Sequence, residues 1–426
     1  MQGRFTTEMD PRGWCAGIAA LFLALVWWRL GTPSVVYFDE THYVPAARQV
    51  IAGLRANPEH PLFAKQVIAA SMRLFGDNPL GWRIPSALTG AWGLYAFARL
   101  VWFVSGRRAA TLAAAFLLAT NFLWFVESRI AMLDMIMAAL GMTGLWLFAS
   151  AMRRPKQGHW RLALAGLSLG LALGAKWSIA AVLPLPGLLF LALKIRATGG
   201  RFAWAREGGG VPGIGLPEAA LWLGLVPLCA YWASFWPGFS WQQQPIDPWA
   251  PFAWHHYMLE LQDSVTKSHP YRSYWYQWIA NWRAIWFLYM EVDGAQRGVL
   301  LIGNPFTMLA GLPALGWALW AGLWRQRGDA LAFAVLYAAS LGLWALSGKP
   351  IQFYYHYLLP SAFLMACLAL ALDELWRQTS RWRWLAPAAL ALSAGMFVYF
   401  FPILSAAELC CGKPSFNQWM WLDSWR

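Results

Sequence analysis

Apolar runs of roughly 17–25 residues recur along this chain, each about long enough to cross a bilayer as a helix. They predict membrane spans near 13–31, 84–104, 109–127, 131–151, 161–176, 178–194, 217–235, 299–323, 329–347, 357–375 and 384–402. Eleven spans put the two termini on opposite sides of the membrane. The connecting segments are short except for two, 32–83 and 236–298. The chain therefore divides into a membrane region 1–235 that carries the first long loop, an aromatic-rich loop 236–298, and a four-span region with a tail, 299–426. Arg4 and Arg12 precede the first run as they would in a signal peptide, but "WWRLGTPS" after it offers no A-x-A site. An uncleaved first helix is expected.

The short loops sort by charge. "SGRR", "RRPKQGHWR", "KIRATGGRFAWAR", "RQRGD" and "RQTSRWR" fall on one side, and their Lys/Arg excess marks that side as cytoplasmic. The opposite short loops hold little beyond Arg129, Lys176 and Lys349. Both long loops and the C-terminal tail then face outward, to the periplasm or its equivalent. Within the first long loop, Tyr43, Ala47, Val50, Ile51 and Leu54 repeat at helical spacing, as do Leu62, Val67, Ile68, Met72 and Leu74. The pattern predicts two helices lying on the membrane surface. "EGGGVPGIG" (207–215) reads as a flexible linker, and no solenoid-type repeat occurs.

Composition agrees. Of 426 residues, 59% are hydrophobic and 12% are charged. A soluble chain carries about a quarter charged residues. The net charge of +13 is spread over loops between spans, which fits topology and anionic lipid better than nucleic acid. Thirty-one tryptophans suit interfacial belts. Cys15, Cys229 and Cys367 lie in apolar runs and read as packing residues. The adjacent Cys410 and Cys411 pair only with strain.

Chemistry concentrates outside. "VVYFDETHYVPAARQV" (35–50) sets Asp39 and Glu40 beside the first span with His42 close behind. Such carboxylates are expensive near a membrane. Asp39 also precedes a helix, so helix capping is the plain structural role open to it. "NPEHPLFAK" on the same loop brings His60 and Lys65, a layout for a base opposite an anion-holding cation. Arg129, Lys176, Lys349 and His356 sit at the outer ends of spans. Each alone snorkels to the interface, but converging on a carboxylate pair they suit a phosphate held at the membrane surface. No H-x-x-x-H or H-E-x-x-H occurs, and His255 and His256 diverge on a helix, so no metal site is expected. The chain also lacks a P-loop and a G-x-S-x-G, the marks of nucleotide-driven and serine-hydrolase chemistry.

At these residues the chain resembles the bacterial protein O-mannosyltransferases, members of the GT-C class that use a polyprenyl-phosphate sugar. "YFDETHYVPAAR" is similar to that family's acidic first-loop motif. "HPLFAK" is similar to its H-P-P-L-G-K element, with Leu62 and Ala64 as replacements. "SRIAMLD", "AKWS", "SHPYRSYWYQW", "VLLIGNPF" and "FYYHYLLPS" follow in the family's order, over about 36–361. The large β-trefoil domain of eukaryotic members has no room in the second loop.

The resemblance implies an all-α polytopic protein of the GT-C fold with about eleven transmembrane helices, juxtamembrane helices in the first outer loop, and an active site facing the periplasm. It implies an inverting transfer of a sugar, mannose first, to a Ser/Thr hydroxyl of a protein, with the lipid-linked sugar as substrate and no cofactor. Asp39 is then the base and Glu40 its support. Lys65, Arg129, Lys176 and His356 are candidates for the donor phosphate, and His42, His60 and Tyr355 are further site candidates. The expected partners are membrane lipids and a polyprenyl-phosphate sugar, with a dimer compatible with the chain. Two rivals differ in kind: transfer to a lipid or glycan, as in the related aminoarabinose transferases, and transport. Transport calls for charges at the bilayer midplane and broken helices, whereas these charges gather at the outer ends.

Overall fold

The computed structural model describes residues 8–264, 269–410 and 413–426; Arg4, Ser268 of the "SHPYRSYWYQW" segment and Cys411 lie outside them. The fold is a bundle of helices with one β-hairpin. The first membrane region contains α1 (Arg12–Trp27), α2 (Glu40–Ile51), α3 (Phe63–Phe75), α4 (Pro79–Ser105), α5 (Arg108–Ala119), α6 (Phe122–Glu127), α7 (Leu133–Arg153), α8 (Gly158–Ala175) and α9 (Leu185–Thr198). Each of the expected spans contains a helix. Among the described residues, seven helices are long and apolar enough to cross a membrane: Pro79–Ser105, Leu133–Arg153, Leu216–Ala233, Pro305–Leu323, Gly328–Leu346, Tyr354–Trp376 and Arg381–Leu404. The chain is a multi-pass membrane protein. α1 and α5 are shorter apolar helices.

Local chemistry explains where the elements depart from the hydropathy runs. The run 109–127 is divided because the Asn121 side chain accepts a hydrogen bond from the Trp124 amide and starts a new helix, α6. The run that starts at 299 opens as a strand. β1 (Ile285–Val292) and β2 (Ala295–Leu301) form an antiparallel hairpin, and the helix begins only at Pro305. The two helices of the first long loop stand where the periodicity puts them, with Tyr43, Ala47, Ile68 and Met72 buried but Leu54 and Leu74 exposed. Cys15 and Cys367 are buried, whereas Cys229 is exposed on its helix and packs no core.

α8 meets the span Leu216–Ala233 at unusually short range. Gly166, Gly170 and Gly174 recur every four residues, and a Cβ at any of them would strike Trp222, Pro227 or Ser234. Small residues at this spacing let two backbones approach closely where lipid supplies no hydrophobic drive for helix association.

The two ends of the bundle differ in charge chemistry. At one end Arg107 pairs with Asp373 (2.8 Å) and Glu374 (3.1 Å), Arg327 pairs with Glu374 (2.9 Å), and Arg377 pairs with Asp373 (2.9 Å) and Glu8 (2.7 Å). These bridges tie "SGRR", "RQRGD" and "RQTSRWR" together, three of the loops grouped by charge. Arg129 marks the other end by binding the carbonyls that follow α1 and Ser405 in the tail.

This sorting predicts the orientation. A reporter active only in the periplasm should work when fused after Arg426 and fail when inserted in "KIRATGGRF". The reverse pattern would place Asp39 in the cytoplasm.

Candidate functional site

The acidic motif is held by charge and by backbone. Glu40 and Arg83 are both wholly buried and form a bidentate pair, with Nε–Oε1 at 2.7 Å and Nη2–Oε2 at 2.8 Å. Glu40 also accepts from the Ala131 amide (2.9 Å) and the Tyr37 amide (3.3 Å). Arg83 in turn donates to the carbonyls of Leu30, Pro33 and Val35. Every strong bonding direction of the pair is thus turned inward, and Glu40 braces the motif without reaching the open space of the site.

Asp39 behaves differently. It stands at the N-cap position of α2, yet its carboxylate makes no capping bond. The turn before it is strained, since Phe38 has a φ of 50°. Aromatic residues seldom occupy that backbone region. Packing compensates, since the Phe38 ring stacks on Phe287 of β1 at 3.9 Å and meets Tyr355 edge-on at 5.9 Å. The hairpin therefore reaches across the sequence to set the backbone on which Asp39 rides.

Asp39 opens onto a cavity of about 340 Å³ whose polar wall includes His42, Asn57, Glu59, His60, Gln262, Lys349 and Tyr355. Burial pushes the Asp39 carboxyl up to about 6, opposed by the positive charge of Lys176. Lys349 is pulled down to about 8 by burial and by the neighbouring Lys176 charge. His60 is held well below its usual range by burial and by Lys176, Lys349 and Lys65, so it is neutral at pH 7. Two buried atoms have no hydrogen-bond partner here, Glu59 Oε2 and His60 Nδ1.

The candidate cations do not all reach this space. Lys65 is buried and its Nζ is engaged by Asn57 Oδ1 (2.9 Å), by the His60 carbonyl (2.8 Å) and by the Asn57 carbonyl. It braces the 57–60 turn. Arg129 donates to the carbonyls of Val26 (2.6 Å), Trp28 (2.9 Å), Arg29 (3.2 Å) and Ser405 (3.4 Å), and it does not line the cavity. Lys176 pairs with Asp134 at 2.6 Å, with its Nζ 4.7 Å from the centre of the Tyr355 ring. His356 is stacked on Trp344 at 3.7 Å and its Nδ1 accepts from the Phe353 amide (3.1 Å). Of the donor-phosphate candidates, Lys176 is the one that influences Asp39 electrostatically. His42, His60 and Tyr355 line the cavity.

Two wall residues, Glu59 and Gln262, have no role in a reading of the sequence alone, and a third, Lys349, has only a general one. Lys349 is legible there as a cation at the outer end of a span, but not as the cation that lines the cavity with Asp39. Glu59 and Gln262 give no signal, because they meet only when the second long loop folds against the first: Gln262 Nε2 donates to the Glu59 carbonyl at 2.8 Å. Among the described residues no group of three or more His, Cys, Asp or Glu is placed to hold a metal ion.

Comparisons with known proteins show what the chain as a whole is similar to. Residues 17–84 and 59–205 match two family models, both described as dolichyl-phosphate-mannose-protein mannosyltransferase. A polyprenol-phosphate-mannose–protein mannosyltransferase of Mycolicibacterium smegmatis is 28% identical, covering 97% of this chain and 93% of that protein. Its counterpart in Corynebacterium glutamicum is 27% identical, covering 93% and 89%. Among solved structures, a chain of the S. cerevisiae protein O-mannosyltransferase Pmt1–Pmt2 complex bound to the sugar donor superposes with a TM-score of 0.80 at 14% identity, covering 98% of this chain and 93% of that one. ArnT from Cupriavidus metallidurans bound to undecaprenyl phosphate gives 0.62 at 14% identity, covering 93% and 77%. The fold is that of the GT-C glycosyltransferases.

The buried pair generates a stability prediction. Arg83→Met should cost about 3–5 kcal/mol, because it strands the Glu40 charge in a dry site. Adding Glu40→Leu should recover only part of the loss, since the Leu30, Pro33 and Val35 carbonyls still lack their donor. Thermal unfolding of the detergent-solubilised chain measures both; full recovery in the double variant would show that those carbonyls do not need Arg83.

Proposed function

We propose that this member of the polyprenyl-phosphate-mannose-dependent protein mannosyltransferase family transfers mannose to a Ser or Thr hydroxyl of a polypeptide at the periplasmic face of the inner membrane. One observation carries the assignment of the site. An unbonded, raised carboxyl, Asp39, shares a small cavity with a lysine, Lys349. That is a base and an anion-holder in one space.

The chemistry follows from the parts. In the donor the anomeric carbon is bonded to a lipid phosphate, which leaves as a stable anion. Asp39 takes the proton of the acceptor hydroxyl, and the hydroxyl oxygen attacks the anomeric carbon from the face opposite the phosphate. The bond from that carbon to the phosphate oxygen breaks, and configuration inverts. A base with a pKa near 6 is ionised at neutral pH and still basic enough to accept a proton in the transition state. Charge grows on the leaving phosphate, where preorganised cations stabilise it. Lys349 takes this role first, and Lys176 second through its reach to the Asp39 side. Lys65 and Arg129 act at one remove, by fixing the 57–60 turn and the segment after α1. The unpartnered Glu59 Oε2 and His60 Nδ1 suit hydroxyls of a hexose, which needs both acceptors and donors.

The base is tested by substitution. Asp39→Asn and Asp39→Ala should both leave folding nearly unchanged, because no capping bond is lost. Transfer should fall by roughly 10²–10⁴-fold, the usual worth of a positioned base. Turnover of polyprenyl-phosphate mannose by purified Asp39→Asn at the wild-type rate would remove Asp39 from this role.

The pH profile gives a second test. Asp39 must be deprotonated and Lys349 protonated, so kcat/KM should rise with pH through about 6 and fall again through about 8. Lys349→Arg should move the alkaline limb upward, and Lys349→Gln should raise the donor KM by about 10–100-fold, as for a lost charge-assisted phosphate contact. A profile flat from pH 5 to 9 in the wild type would contradict both assignments.

A further inference from the structure

The active cavity is small for its task. Its volume is about 340 Å³. That is near the lower end of ligand pockets, which run to about 1000 Å³. On the reading above it must hold a hexose, the phosphate bonded to it and one acceptor side chain, and that leaves little room for more. The residues flanking that side chain in a polypeptide must therefore lie on the surface next to the cavity.

A second hollow lies along the same two loops. It is lined by Arg55 of the first long loop and by Gln244, Asp247, Trp254 and Tyr257 of the second. The guanidinium of Arg55 lies 5.7 Å from the Trp254 ring and 5.1 Å from the Tyr257 ring, and it donates to Gln244 Oε1. The two elements that form this hollow also contribute part of the wall of the active cavity. Along the first loop, Arg55 is followed by the cavity residues Asn57, Glu59 and His60. Along the helix Pro251–Asp263, Trp254 and Tyr257 are followed by Gln262, which lines the cavity and grips the Glu59 carbonyl.

The hollow and the cavity are thus the two ends of one seam. At about 1.5 Å per residue, Trp254 lies about 12 Å from Gln262 along the helix. An extended peptide covers that distance in about four residues, at roughly 3.3–3.6 Å each. The walls suit a main chain. Flat aromatic faces accept any side chain, the planar guanidinium carries more donors than Gln244 uses, and Asp247 supplies an acceptor for an amide.

We propose that this hollow is an acceptor subsite that binds the polypeptide main chain about three or four residues from the Ser or Thr that receives the sugar. The inference rests on the protein-acceptor reading above and extends it. None of its residues touches the reacting atoms, so its contribution is to acceptor binding alone. It binds long acceptors and is invisible to short ones.

The test compares acceptor lengths. The purified full chain, with polyprenyl-phosphate mannose as donor, is assayed with an eleven-residue peptide centred on one threonine and with N-acetyl-threonine amide. In Arg55→Ala, the KM for the long peptide should rise by about fivefold, as for a lost cation–aromatic and hydrogen-bonding contact, with kcat unchanged. Its KM for the single-residue acceptor and for the donor should stay at the wild-type value. Tyr257→Leu, on the facing wall, should give the same split and serves as the second reading if Arg55→Ala is poorly folded. Equal changes for both acceptors, or none for either, would overturn the subsite and leave the hollow as surface packing or a lipid contact. A wild-type enzyme that uses neither acceptor but glycosylates a lipid would overturn the protein-acceptor reading as well; a wild type active on both, with no length-dependent split in the variants, overturns the subsite alone.

Discussion

The buried pair between Glu40 and Arg83 is the constraint on which the site depends. Both side chains are removed from water, so each must have its charge and its hydrogen bonds answered within the protein. Glu40 answers the Tyr37 and Ala131 amides, and Arg83 answers three carbonyls of the 30–35 turn. One ion pair thereby joins the exit of α1, the start of α2, the first turns of α4 and the approach to α7. The strained residue Phe38 sits inside this frame. A carboxylate placed on such a frame has little freedom to relax toward solvent or toward its own helix.

The same economy of polar groups governs the cations. A lysine or arginine away from water must find oxygen, and Lys65 and Arg129 find it in backbone carbonyls. Those carbonyls lie in turns or in the last turn of α1, where a helix leaves its carbonyls without a partner. Arg129 holds the end of α1, and Lys65 holds the turn that presents Glu59 and His60 to the cavity. Lys349 has no such duty, so it is left facing the open space with Asp39. Cations that look alike in sequence thus end up either bracing turns or facing the cavity, and the division follows from which oxygens lie within reach.

The hairpin shows a similar division of labour. It lines none of the cavity, yet Phe287 of β1 stacks on Phe38 and so reaches the residue beside Asp39. It is also tied to the chain's end, since the Trp286 indole donates to the Trp425 carbonyl and Arg297 donates to the Ala406 carbonyl. Parts remote in sequence thus converge on one turn.

Much was legible in the residues alone. Hydropathy runs located the helices, because a bilayer demands long apolar segments whose backbone is satisfied internally. Period located α2 and α3, and the asymmetry of Lys and Arg grouped the loops that the ion pairs of Arg107, Arg327 and Arg377 then join. The order of short motifs pointed to the family. What the sequence could not decide was direction and partnership. Asp39 and Glu40 are adjacent, but one turns into an ion pair and the other into a cavity, and only the position of Arg83 separates them. "VLLIGNPF" reads as the start of a span and forms a strand, since a short apolar run does not distinguish strand from helix until a partner strand is beside it. Lys65 is buried against the Asn57 and His60 carbonyls, whereas Lys349 lines the cavity. Local pattern sets the elements because it acts within a few residues, whereas the role of a charged side chain is set by which group, far along the chain, comes to lie within about 3 Å of it.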